Sequence, residues 1–137
     1  MAKKTKTKTL SQLKRQLDAV FSKAIRLRAS DSDGRVQCFT CDRVLHWKEA
    51  HAGHFVSRRY LATRFDERNV QVQCAGCNTF HAGRTWEFGK NLNKIYGVGT
   101  AELLKAMERR PNQKIQRHEY LELIERYKRK SEQSAAE

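Results

Sequence analysis

No stretch of eighteen consecutive apolar residues occurs in the chain, so nothing in it has the length and hydrophobicity of a membrane-spanning helix. The N-terminal segment Met1–Thr9 is basic but has no apolar centre of the kind a secretory signal carries, and a cytoplasmic location is expected. Acidic residues are scarce: 15 Asp and Glu stand against 28 Lys and Arg, leaving a formal net charge of +13. Such an excess points to a polyanionic partner, nucleic acid or an acidic membrane surface, with a ribosome-associated or merely basic protein as the plainer reading. Apolar residues are also few, at 39% of 137, so one domain with a thin core is expected and some further staple is needed. No internal repeat is visible, and the chain has a single proline, Pro111.

Three regions follow from the pattern. Residues 1–29 hold nine Lys and Arg against Asp18 alone, and Leu10, Leu13, Leu17, Val20, Phe21, Ala24 and Leu27 recur at helical spacing. That predicts a basic amphipathic helix from about Ser11, its N-cap, to Arg28. Residues 30–90 carry all four cysteines, four of the five histidines and both tryptophans. Short strands are expected at Val36–Phe39, Val44–Trp47, Ala52–Val56 and Val70–Gln73, then a helix from the second cysteine pair towards Phe88. Residues 91–137 form a helical extension: one helix opens at Thr100 and closes at Pro111, and another runs from about Lys114 to Lys130 before a polar, frayed tail.

Cys38-Phe-Thr-Cys41 and Cys74-Ala-Gly-Cys77 are two CxxC pairs, 32 residues apart. Each tight turn presents two sulfurs, and two such turns close a tetrahedral thiolate site, for which zinc is the expected ion. A redox CxxC normally opens a helix in a βαβ setting, which is absent, and four ordinary buried cysteines are the other alternative. His46 is read as strand surface, since four thiolates already fill a tetrahedron. Between the pairs lie His51-Ala-Gly-His54, then Asn69, then Asn78 and His81. One-metal phosphodiester hydrolysis needs a base for water, ligands for a divalent ion and cations for phosphate, and histidine with asparagine can supply the first two.

The spacing His54–(14 residues)–Asn69–(8 residues)–Asn78, bracketed by the CxxC pairs, resembles the HNH (ββα-metal) endonuclease finger. Within it, Ala52-Gly-His-Phe, Arg64-Phe-Asp, Asn69-Val-Gln-Val-Gln-Cys and Cys77-Asn78 are similar to the NinG (Rap) recombination nucleases of lambdoid phages, over residues 35–90. The resemblance implies an α+β fold: a small zinc-stapled ββα-metal finger between basic helices. It implies His54 as general base, Asn69 fixing the loop that orients it, and Asn78 as ligand of a catalytic Mg2+ or Mn2+, with His81 on the same helical face. Many members place an Asp directly before the base; here that residue is Gly53, and His51 is the substitute ligand. Residues 51 and 54 face opposite ways on a regular strand, so their convergence requires a bulge at Ala52-Gly53.

Arg58, Arg59, Arg64 and Arg84 are the expected phosphate contacts, supplemented by the terminal lysines and arginines. The resemblance implies an endonuclease for branched DNA, a D-loop or Holliday junction, in the cytoplasm of a phage host. A homodimer would suit symmetric nicking. The rival readings are a non-catalytic zinc-ribbon nucleic-acid binder, separated by metal-dependent nicking, and an HNH enzyme of restriction or homing type, which would need a recognition domain that the chain lacks.

Overall fold

The computed structural model describes residues 7–110 and 114–136. Helix α1, Leu10–Arg28, is capped by Thr9 rather than Ser11. Thr9 Oγ1 accepts from the Gln12 backbone N–H at 3.1 Å, and Gln12 Oε1 accepts from the Thr9 N–H at 2.8 Å. This reciprocal box needs an acceptor three residues on, and Lys14 cannot give one to Ser11. Of the expected apolar stripe of α1, Leu13, Leu17, Phe21, Ala24 and Leu27 are buried and Leu10 is exposed, and Ile25 is buried with them.

Helix α5, Arg117–Ala136, lies along that stripe and contributes Tyr120, Ile124 and Tyr127. Phe21 meets Tyr127 edge-on at 4.7 Å and Phe65 at 5.6 Å. Burying each large side chain here contributes about 1.5–3 kcal/mol. The helix continues past the expected stop at Lys130 because packing holds it: Ser131 is buried, and Lys130 Nζ reaches both Glu67 carboxylate oxygens at 3.1 Å.

Two separate antiparallel hairpins make up the β-structure. Strands β1, Arg35–Gln37, and β2, Val44–His46, flank the first cysteine pair; Trp47 leaves β2 and opens a 3-10 turn to Glu49. Strand β3, His51–His54, pairs with β4, Val70–Gln73, in the register His51↔Gln73, Ala52↔Val72, Gly53↔Gln71, His54↔Val70. Ala52 and Val70 pack into the α1–α5 core. All four β4 residues are buried, so its two glutamines are enclosed rather than solvated.

A loop carrying the short helix α2, Leu61–Arg64, joins β3 to β4. The single helix expected beyond the second cysteine pair is instead two elements. A π-helical turn, Gly76–Phe80, ends where Ala82, Gly83 and Arg84 take positive φ of 50°, 82° and 45°; helix α3, Thr85–Tyr96, then starts afresh. Three successive left-handed residues cannot continue a right-handed helix, and the Gly83 N–H closes the turn on the Cys77 carbonyl at 2.8 Å.

Helix α4, Thr100–Met107, opens at the expected Thr100 and is capped by Gly99, while the Thr100 hydroxyl donates back to the Gly97 carbonyl at 2.7 Å. Its expected terminator, Pro111, lies outside the described residues. From α3 and α4, Phe88, Leu92, Ala101 and Leu104 form a second core around Phe55 and Val56, the first residues after β3. The fold is α+β, and no helix among the described residues is long and apolar enough to cross a membrane.

Candidate functional site

The two cysteine pairs come together. The sulfurs of Cys38, Cys41, Cys74 and Cys77 all lie within 4.8 Å of one another, as for a zinc site. None of the four is in a disulfide, and three of them are buried. Backbone N–H groups aim into the cluster, from Cys74 to Cys38 Sγ at 3.3 Å and from Cys77 to Cys74 Sγ at 3.4 Å. Such donors favour thiolate. At Cys38 burial pushes the thiol up, but the hydrogen bonds from Cys74 and Thr40 outweigh it and bring the pKa down to about 6. Cys41 is pushed up to about 12, first by burial and then by its sulfur neighbours. One negative sulfur is comfortable and further ones repel, which is the electrostatic demand a divalent cation meets. His46 stands apart, exposed at the end of β2 with its Nδ1 accepting from the Lys48 N–H at 3.2 Å.

The β3–β4 hairpin displays the two histidines on opposite faces. Its register is regular over all four residues, so no bulge turns His54 towards His51. His51 meets Asn78, from the π-helical turn, with Nδ1 3.0 Å from Asn78 Nδ2. His54 turns the other way, where its Nε2 lies 3.0 Å from the Arg64 carbonyl oxygen at the end of α2. A carbonyl can only accept, so Nε2 carries the proton and Nδ1 keeps a free lone pair. Burial is the first cause lowering the His54 pKa below 6.5, with the charges of Arg58 and Arg64 acting in the same direction. The Arg64 carbonyl and Asp18 oppose them, and the imidazole stays neutral near pH 7.

Asn69 is fully buried and holds the loop that carries Arg64. Its Oδ1 accepts from the Val56 N–H at 2.8 Å, and its Nδ2 donates to the Val56 and Thr63 carbonyls, each at 3.0 Å. The loop's two ends are thereby tied, and the Arg64 carbonyl is set against His54. His81 lies just beyond the π-helical turn, not on a continuing helix; it is exposed, and its backbone N–H donates to the Gly76 carbonyl at 3.0 Å.

The four arginines expected on phosphate divide. Arg58 and Arg59 are exposed on the loop after β3. Arg64 is instead bound bidentately by Asp18 of α1, through Nε–Oδ1 at 2.9 Å and an Nη2–Oδ2 contact, and its Nη1 donates to the Arg58 carbonyl. Arg84 donates from Nε to Cys77 Sγ at 3.2 Å, so it serves the cysteine cluster.

Two participants escape the sequence reading. Asp18 is the one acid among residues 1–29, a signal that marked it out, yet its partner 46 residues away was invisible. Gln73 is fully buried beside Cys74, with Nε2 donating to Thr40 Oγ1 and to the Gly83 carbonyl, both at 2.9 Å. It ties the first cysteine turn to the second hairpin.

No curated protein and no solved structure matches the chain. The family model described as bacteriophage lambda NinG protein matches residues 1–137, all of the chain including the helices on either side of the two hairpins. The chain therefore belongs to the bacteriophage lambda NinG protein family.

Proposed function

We propose that this NinG-family chain is a zinc-stapled, metal-dependent DNA endonuclease of the HNH (ββα-metal) type that cuts branched recombination intermediates. The observation that carries the reading is His54: a half-buried, neutral imidazole, its Nε2 proton engaged by a backbone carbonyl and its Nδ1 left as a base. Asn69 fixes the loop bearing that carbonyl, which is a positioning role.

In the proposed reaction His54 Nδ1 takes a proton from the attacking water as its oxygen bonds to phosphorus, and the bond to the leaving oxygen breaks. His51 and Asn78 offer an imidazole nitrogen and an amide oxygen, donors that suit a divalent Mg2+ or Mn2+ beside the hairpin. Bound there, on the face of the hairpin away from His54, the ion would supply positive charge to DNA phosphate. Cys38, Cys41, Cys74 and Cys77 would hold the structural zinc. Arg58 and Arg59, free at the surface, would grip phosphate next to the base. With +13 overall and no base-reading module in the sequence, DNA shape is the discriminating feature.

The test is Mg2+- or Mn2+-dependent cleavage of linear, forked, D-loop and four-way DNA. His54→Ala should lower cleavage by about 100-fold or more while DNA affinity and zinc content hold. Tight binding with no cutting under either ion would leave a nucleic-acid binder and defeat the nuclease reading.

A further inference from the structure

Among the described residues, Gln73 Oε1 is a buried acceptor with no hydrogen-bond partner. The orientation of its amide is not free. The Gly83 carbonyl can only accept, so the nitrogen must point there and the oxygen must point away. It points onto Gly53: a Cβ built on that glycine would lie 1.8 Å from Gln73 Oε1 and 2.6 Å from Gln73 Cδ. Any side chain at position 53 would therefore collide with an amide anchored at its other end. His51 is directly opposite Gln73 in the ladder and shares the face of Gly53, so the orphaned oxygen belongs to the same side of the hairpin as the His51–Asn78 pair.

A buried amide oxygen left without a donor is costly, and its natural complements are a trapped water or a cation. The chemistry of the neighbours decides between them. A hard oxygen on the same hairpin face as an imidazole and a second amide offers a donor set for a small divalent ion. We propose that Gln73 Oε1 is an oxygen ligand of the divalent ion held by His51 and Asn78, filling the space that a side chain at position 53 would otherwise take. The inference rests on the nuclease reading above.

It also has a regulatory consequence. All three donors are neutral, so the protein supplies no anionic oxygen, and the DNA phosphate must. Ion and DNA then bind with positive coupling, each strengthening the other.

The experiment uses the full, zinc-loaded chain carrying His54→Ala, so that DNA stays intact, with and without a short four-way junction. Mg2+ is titrated while the Gln73 13Cδ and His51 ring signals are followed by NMR, and Mn2+ affinity is measured by electron paramagnetic resonance. The two nuclei should move with one midpoint, at lower Mg2+ when DNA is present. Gln73→Glu, which puts an anionic oxygen in the same place, should tighten Mn2+ in the absence of DNA by about tenfold or more. Gln73→Met, close in volume but without the oxygen, should weaken it by about tenfold. His51 signals that respond while Gln73 Cδ stays still would overturn the ligand role, assign the oxygen to a trapped water and leave the nuclease standing. Silence at both residues with the junction bound would overturn the metal site together with the nuclease reading.

Discussion

Replacing Asn69 with alanine tests whether the loop between β3 and β4 is held by a single amide. The side chain makes three hydrogen bonds, to the Val56 N–H, the Val56 carbonyl and the Thr63 carbonyl. The Thr63 carbonyl keeps a second donor, the Asp66 N–H at 3.1 Å, so the substitution strands two backbone groups of Val56. Val56 is only 3% exposed, and water cannot readily replace the lost partners. At about 1–3 kcal/mol for each buried group left unsatisfied, the cost is roughly 2–6 kcal/mol. For a chain of this size that lowers Tm by roughly 7–20 °C, a large part of a typical stability of about 5–15 kcal/mol. The assay is thermal unfolding of the zinc-loaded protein, with 15N shifts of His54 recorded well below Tm. Loosening the loop moves the Arg64 carbonyl, so the Nε2-protonated tautomer should lose its dominance. A Tm within about 3 °C of the parent, with the tautomer unchanged, would refute the idea that Asn69 holds the loop.

Zinc affinity should fall more steeply once pH drops below about 6, because protons then compete at Cys38 as well as at the other sulfurs; competition with a coloured chelator measures it. His54 has a folded-state pKa below 6.5, so the unfolded chain takes up that proton first. Stability from this group is therefore complete above about pH 6.5 and is lost as pH falls towards the folded value, and His54→Gln should flatten that part of a denaturant-midpoint profile. Gly53→Ala should destabilise by about 1–3 kcal/mol in urea unfolding, because Gln73 cannot yield without releasing Thr40 and the Gly83 carbonyl; an unchanged midpoint would show that the amide is not anchored. Asp18→Asn should cost about 1–3 kcal/mol by the same assay, since the Asp18 and Arg64 side chains are 22% and 13% exposed and the arginine is left half-paired.

Periodicity and spacing carried the elements that are defined locally. The α1 stripe and the Val70–Gln73 strand were legible because each depends on residues close in sequence. Helix ends were not: the Thr9–Gln12 box, the Gly99 cap and the extension of α5 to Ala136 depend on one specific bond or on a packed neighbour. The break at Ala82–Arg84 was hidden because two of its three left-handed residues are not glycine, and the closure onto Cys77 and the Gln73 amide on the Gly83 carbonyl stabilise it.

The site shows the same division. Two CxxC pairs declare a four-sulfur cluster from sequence alone, since each tight turn brings its own two sulfurs together and only one further approach is needed. The roles of the histidines and arginines depended on which side chains the fold places opposite them. A strand alternates its faces, so His51 and His54 had to separate; the resemblance already set His51 and Asn78 together, but nothing in the chain order showed that the Arg64 carbonyl would meet His54. Arg64 looked like a phosphate ligand until α1 brought Asp18 against it, and nothing in the Val70–Gln73 strand pattern showed that Gln73 would pack against Gly53. Local residue order therefore determined the elements and the cysteine cluster. Long-range packing alone decided which polar groups are satisfied inside the protein and which remain free to act, because a hydrogen bond or ion pair forms with whatever lies within about 3 Å in space, however far away in sequence.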